Sequence, residues 1–302
     1  MQVLLTGATG FIGARIARAC LEAGWEVYAL VRPESDRWRL RAQADRVTWL
    51  LADLRDHAAV SRALASIAPQ VCIHAAWYAV PGRYLQALEN LDHLRATLDL
   101  AAQLAARGCP HFIGLGTCVE YDTDLGYLSE TSATRPRSLY AACKLSAQTT
   151  LAQLAEVTGM QVAWLRLFYQ HGPGEPEQRL VPQLIRSLLG DRPVPLTPGE
   201  QVRDFLHVDD VAAAVRAIAA QRETGLFNIG SGQPLSVGNL ALTIGEMLDK
   251  RDLLQLGAQP YREGEAMFLC ANNQRLRSLG WRPQYSLATG LAATIAWWQT
   301  RL

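Results

Sequence analysis

Residues Gln2-Val3-Leu4-Leu5-Thr6 form an apolar run that leads straight into Gly7, Gly10 and Gly13, and the apolar residues behind them recur with a helical period. Three glycines spaced in this way permit three things that side chains forbid. One allows a tight turn, one lets a pyrophosphate approach the backbone, and one lets the following helix pack closely on the strand. The free N–H groups at the helix start then face phosphate oxygens. A glycine triplet alone can be an incidental turn. Its place between a strand and a helix makes Gly7, Thr9, Gly10, Phe11, Ile12 and Gly13 a candidate dinucleotide-binding loop.

The rest of the chain continues the rhythm. Residues 12–23 read as a helix closed by Gly24, 26–31 and 47–51 as strands, and 58–68 as a helix stopped by Pro69. Strand 71–74 follows, then a long helix over 84–107, strand 112–116, a second long helix over 139–158 closed by Gly159, and strand 161–167. This alternation predicts an α/β fold, a Rossmann-type doubly wound parallel sheet covered on both faces. After Phe168 the pattern becomes irregular, with prolines and short segments. The expected division is a dinucleotide-binding domain over 1–168, with 202–230 returning to it. A smaller mixed substrate-binding region would comprise 169–201 and 231–302.

With 302 residues, 49% of them hydrophobic, and a formal net charge of +1, the chain reads as globular and as no partner for nucleic acid. Its six cysteines form no C-x-x-C pair and lie partly in apolar runs, so reduced, buried thiols in a cytoplasmic protein are expected. The scattered histidines suggest no metal site. No apolar run is long enough and charge-free enough for a membrane span.

The residue closing the second strand discriminates between cofactors. A carboxylate there would bond the adenosine ribose diol and repel a 2′-phosphate. Arg32 occupies the position, with Ser35 and Arg37 close behind. A guanidinium suits the extra phosphate, so NADP(H) is preferred. A solvated arginine stacked on adenine in an NAD(H) enzyme is the competing reading. Asp53, followed by Leu54, can accept from an adenine amino group or can cap a helix.

Tyr140 and Lys144 lie one helical turn apart, so their side chains converge. An ammonium beside a phenol favours the phenolate, which would bring Tyr140 towards the working pH as a proton donor or acceptor. Thr117, at the end of the fifth strand, offers a hydroxyl to the substrate oxygen. Cys118 reads as a packed thiol.

On these residues the chain resembles the extended short-chain dehydrogenase/reductases, specifically the NAD(P)-dependent epimerase/dehydratase group acting on nucleotide sugars. The glycine loop, Thr117, Tyr140 and Lys144 match that group's motifs. So do His74-Ala75-Ala76-Trp77 after strand four, Asn90, and Phe227-Asn228-Ile229-Gly230-Ser231-Gly232. The resemblance implies that Ala75 lies at the cofactor and that Arg203 and Arg262 clamp a diphosphate, although ordinary ion-paired arginines are the alternative for both. Arg179 and Tyr169 complete the set expected at the substrate.

Two departures narrow the reaction. Dehydratases of the group carry Asp-Glu directly after the catalytic threonine, whereas Cys118 and Val119 stand here, so dehydration is disfavoured. The nearest carboxylate, Glu120, would point away along an extended strand end. Tyr169 replaces a common asparagine, and Tyr78 and Tyr84 make the stretch after His74 aromatic. The resemblance implies NADPH-dependent reduction of a nucleotide-linked 4-keto-6-deoxyhexose, with an NAD-dependent 4-epimerase as alternative. It also implies a homodimer formed through the two long helices.

Overall fold

The computed structural model describes residues 1–301. Its first half alternates strand and helix: β1 (Gln2–Thr6), α1 (Phe11–Glu22), β2 (Glu26–Val31), β3 (Val47–Leu51), α2 (His57–Leu64), β4 (Val71–His74), α3 (Glu89–Ala106) and β5 (His111–Thr117). Next come the short β6 (Tyr127–Leu128), then α4 (Leu139–Thr158), β7 (Gln161–Leu167) and β8 (Tyr169–His171). The second half runs α5 (Leu180–Leu189), β9 (Val194–Pro195), β10 (Val202–His207), α6 (Val208–Gln221), β11 (Gly225–Ile229), β12 (Pro234–Ser236) and α7 (Val237–Met247). It closes with β13 (Leu254–Gln255), β14 (Cys270–Ala271), α8 (Gln274–Ser278) and α9 (Leu287–Gln299).

Seven of the described strands form one parallel sheet in the order β11-β7-β5-β4-β1-β2-β3. The chain winds outward from β1 through β2 to β3, then crosses back to β4 on the other side of β1. The switch point therefore lies between β1 and β4, where a doubly wound sheet opens a crevice at its strand ends. Alternation along β1 explains how both faces are buried. Val3 and Leu5 face the core beneath α1 and α6, and Leu4 faces the one beneath α2, α3 and α4. Ser138 caps the start of α4 by accepting from the Ala141 amide, and Gly159 ends it in the left-handed region at φ 76°.

The smaller region has a three-stranded sheet, β12-β10-β8, and its own core from Leu184, Ile185 and Leu188 of α5, Leu240 and Ile244 of α7, and Leu291 and Ile295 of α9. The sequence-based division needs two corrections. Val202–His207 pairs with β8 and β12, so the return to the large sheet begins only with α6 and β11. Conversely, Leu276 and Trp281 from the C-terminal stretch pack into the core beneath α1. The helix expected over 84–107 starts at Glu89, because Asn90 Nδ2 donates to the carbonyls of Tyr84 and Ala87 and holds the preceding residues in a turn. That turn delivers Tyr84 to the cleft.

Candidate active site

A cleft of about 1510 Å³ runs from the ends of β1, β2 and β3, past β4 and β5, to the smaller region. The first turn of α1 opens into it. Gly10 precedes the helix, and no described side chain caps the helix start. Thr9, Gly10, Phe11 and Ile12 line the cleft with their backbone exposed to a ligand. Gly7 has φ +70°, and a Cβ there would stand 2.7 Å from the Ala75 carbonyl carbon. A Cβ at Gly13 would lie 2.0 Å from the Gly7 carbonyl oxygen. The loop is thus a cradle that side chains would fill, and it fits a dinucleotide pyrophosphate. Beneath it, the buried His74 is structural. Its two ring nitrogens pair with the hydroxyls of Thr6 and Thr97, each at 2.8 Å.

At the end of β2, Arg32 and Ser35 line the cleft, and Arg32 pairs with Glu34 at 3.3 Å on the exposed side. Arg37 does not join them. Its guanidinium lies 4.6 Å from the Trp49 ring, because the chain after Asp36 turns towards the sheet edge. Arg39 takes its place, a residue that the sequence reading missed because it lies on a 3-10 helical segment (Trp38–Arg46) rather than directly after the strand. Arg39 donates to the Thr9 carbonyl at 3.2 Å and to the Gly174 carbonyl, tying the glycine loop to the smaller region. Asp53 also lines the cleft with Leu54. The cap of α2 is Asp56, not Asp53, since Asp56 accepts from the Ala59 amide. Asp53 instead holds Arg55 at 2.6 Å, and that hydrogen bond keeps its carboxyl low, at about 2.

Thr117, Tyr140 and Lys144 meet at the cleft floor with Trp77 and Tyr84. The Tyr84 and Tyr140 rings meet edge-on at 4.8 Å. Lys144 is buried. Its Nζ donates to the Leu115 carbonyl at 2.6 Å and sits 3.8 Å from the centre of the Trp77 ring. Trp77 is itself fixed by its indole N–H, which donates to Asn90 Oδ1 at 2.8 Å. Burial draws the Lys144 ammonium down to about 7, against the pull of Glu120.

The expected acidification of the phenol is not found. Burial pushes the Tyr140 phenol upward, the Tyr84 phenol and the Glu120 carboxylate add to the rise, and hydrogen bonding by the Thr117 side chain opposes it. Lys144 is occupied by a carbonyl and a ring face instead of the phenolic oxygen. Burial accordingly favours the neutral phenol at Tyr140.

Towards the smaller region, Tyr169, Arg179, Arg203 and Arg262 all line the cleft. Arg203 is buried and bound to Glu265 at 2.6 Å, with its guanidinium 5.4 Å from the Tyr169 ring. Arg179 lies 5.3 Å from the Tyr84 ring, and Arg262 is exposed at the mouth. Glu265 and Glu175 are cleft residues to which sequence reasoning gave no role. Glu175 is buried, and burial holds its carboxyl well above the usual range. Cys118 is a packed thiol, raised to about 12 by burial. The Asn228–Gly232 stretch is structural: the buried Asp204 carboxylate accepts from Ser231 and from the Gly232 amide. Glu120 does turn away from the cleft, but for a different reason than expected. Thr117 ends the strand and the chain curls into a 3-10 turn (Cys118–Glu120), which carries the carboxylate into the core. Among the described residues no helix is long and apolar enough to cross a membrane, and no His/Cys/Asp/Glu group gathers as a metal site.

The profile of the NAD dependent epimerase/dehydratase family matches residues 3–230. A dTDP-glucose 4,6-dehydratase of Streptomyces griseus is 29% identical over 98% of this chain and 94% of its own. A UDP-glucose 4-epimerase of Rhizobium meliloti is 28% identical over 99% of this chain and 97% of its own. The crystal structure of the Thermus thermophilus UDP-glucose 4-epimerase in complex with NAD superposes with a TM-score of 0.89 at 25% identity, covering 100% of both chains.

Proposed function

Because the chain belongs to the NAD dependent epimerase/dehydratase family, we propose that it reduces a nucleotide-linked 4-keto-6-deoxyhexose at C4, with NADPH as cofactor. The observation that carries this reading is the composition of the cleft floor: Thr117, Tyr140 and Lys144 converge there, and Cys118 and Val119 stand where dehydration would need carboxylates. When bound, NADPH supplies the hydride. The chain's own residues do the rest. The Thr117 hydroxyl orients the ketone oxygen. Tyr140, kept protonated by burial, delivers its phenolic proton to that oxygen as charge develops. Lys144, anchored on the Leu115 carbonyl, fixes its amino group beside the site. Arg203, Arg179 and Arg262 bind the diphosphate, so that binding energy remote from C4 positions it.

The NADPH preference is supported by Arg32, Ser35 and Arg39 around the end of β2 and by the lack of a carboxylate closing that strand. Arg32→Ala should weaken NADPH binding about tenfold while leaving NADH binding unchanged. Equal loss for both cofactors would remove the preference.

A second reading, a 4-epimerase with tightly held NAD, is favoured by the similarity to UDP-glucose 4-epimerases. It would use the same three residues to oxidise and re-reduce C4. One experiment separates the two: NADPH oxidation followed across dTDP-, GDP-, CDP- and UDP-linked 4-ketosugars. Turnover with at least one supports reduction. Epimerisation of a UDP-hexose with no NADPH oxidation replaces it. Tyr140→Phe should lower kcat about a thousandfold in either case.

We also propose a cytoplasmic homodimer through α3 and α4. Leu91 of α3 and Val157 of α4, with Leu88 just before α3, are exposed apolar residues that suit a helix-to-helix contact between copies. Light scattering of the purified protein tests it, and a monomer would reject it.

A further inference from the structure

Glu120 is fully buried directly under the catalytic floor, and the reaction as described makes no use of it. Its carboxylate is surrounded by donors. Oε1 accepts from the Thr117 amide at 2.7 Å, Oε2 accepts from Arg166 Nε at 2.7 Å, and both oxygens lie 3.2 Å from the Trp164 indole nitrogen. Burial pushes the Glu120 carboxyl up and Arg166 opposes it, but a protonated acid would need an acceptor and every one of these contacts is a donor, so the arrangement suits the ionised form. Arg166 is in turn sandwiched, its guanidinium 4.1 Å from the Tyr121 ring, and the Tyr121 hydroxyl donates to Asn228 Oδ1 at 2.7 Å.

The fit is tight. A Cβ at Gly116 would stand 2.2 Å from the Trp164 indole nitrogen and 2.5 Å from Glu120 Oε1. The Thr117 side chain also receives the Val119 amide at 3.4 Å, completing a reciprocal box with Glu120 around the strand end. An ion pair of this kind is costly to bury. It stands one hydrogen bond from the Thr117 backbone.

We propose that Glu120 is a positioning residue for the reaction: it locks the Thr117 backbone, and so the hydroxyl that meets the substrate oxygen, and it places a negative charge beneath Tyr140 and Lys144. This rests on the roles given to Thr117 and Tyr140 above. The groups facing Tyr140 are Thr117 and Cys118 from the end of β5, Tyr84 from the turn before α3, and Lys144 from its own helix. The groups facing Glu120 are Arg166 and Trp164 from β7 and its neighbour Tyr121, with Glu130 close to Tyr121. Within this set the Glu120 charge adds to burial and to Tyr84 in keeping the proton on the phenol, as a ketone reduction requires.

Two variants separate position from charge. Glu120→Gln keeps an oxygen for the Thr117 amide and removes the charge. The pH at which reduction fails on the alkaline side should fall by about one unit. Glu120→Asp keeps the charge and withdraws it by one methylene. Here kcat should fall about tenfold with KM little changed, and the alkaline limb should stay in place. Thermal midpoints and NADPH titration establish that each variant is folded, and if Glu120→Gln does not fold, Glu120→Asp alone decides. A folded variant with the parent's kcat and the parent's alkaline limb overturns the proposal. If that result accompanies an inactive Tyr140→Phe, only the role of Glu120 falls. An active Tyr140→Phe would instead remove the reaction mechanism on which it rests.

Discussion

The two ends of the cleft are built differently. At the cofactor end the ligand-facing surface is backbone: a glycine loop with no room for side chains, set at the switch point of a sheet whose core is fully buried. At the substrate end it is made of side chains on short strands and loops. There the guanidinium of Arg203, which would meet a diphosphate, is already satisfied by Glu265. A ligand at the first end fills a shape that exists without it. A ligand at the second must displace an internal contact. The cofactor end should therefore fail through packing when altered, and the substrate end through binding.

The largest effect belongs to the packing end. Gly13→Ala sets a methyl group 2.0 Å from the Gly7 carbonyl oxygen, a contact that only backbone movement relieves. We expect a loss of about 3 kcal/mol in urea unfolding and no measurable binding of the dinucleotide. Wild-type stability in this variant would mean that the loop is not the rigid cradle described.

Arg203→Ala should act in the opposite manner. The fold should hold, while KM for the nucleotide sugar rises about a hundredfold and kcat changes much less, as loss of a charge-assisted bidentate contact predicts. An unchanged KM would leave Arg203 a structural partner of Glu265 and nothing more.

Acid should strain both ends through buried histidines. Burial lowers His74 and His171 to about 3 and His207 to about 4, all below the ordinary value near 6.5. Between those limits the unfolded chain binds the protons and the folded chain does not. The stability held in these groups is complete above about pH 6.5 and is lost as the pH falls towards 4. Buried carboxyls such as Asp204, raised by burial, act with the opposite sign, so the slope of a single substitution is the clean readout. His171→Gln should make the fall in urea midpoint between pH 6.5 and 4 shallower, by up to about 1.4 kcal/mol per pH unit. An unaltered slope would mean that His171 is not held neutral by its surroundings.

The same contrast explains which parts of the molecule are legible in the chain itself. Strands 2–6, 26–31, 47–51, 71–74 and 161–167 and helix 139–158 are legible to the residue, because long buried runs and caps such as Ser138 and Gly159 write their boundaries in composition. Thr117, Tyr140 and Lys144 are legible as a set because two lie on one helix face and the third ends a strand. Arg39 is not, since it lies on a polar 3-10 segment with a single buried residue, Leu40, and no apolar stripe there says which way its side chains point. Nor is the actual use of Lys144. Its carbonyl and Trp77 contacts come from residues 29 and 67 positions away in the chain, and no spacing rule links them. The sheet to which 202–207 belongs is hidden for a similar reason. The six-residue run reads as a strand, while its partners at 169–171 and 234–236 are too short to announce themselves.

The smallest effect is also the sharpest test of the contrast. If the Arg203–Glu265 pair must open before a diphosphate binds, neutralising Glu265 should favour the ligand. Glu265→Gln leaves an amide of the same shape, weakens the internal contact, and leaves the buried Arg203 charge in greater need of a partner. Glu265 is about one quarter exposed, so solvent screens part of the effect. KM for the nucleotide sugar should fall about threefold with kcat unchanged, and affinity for the bare nucleoside diphosphate should rise by the same factor. A rise in KM would show the reverse arrangement, in which Glu265 itself bonds the substrate. The two ends of the cleft would then both be preformed, differing in material and not in how they receive a ligand.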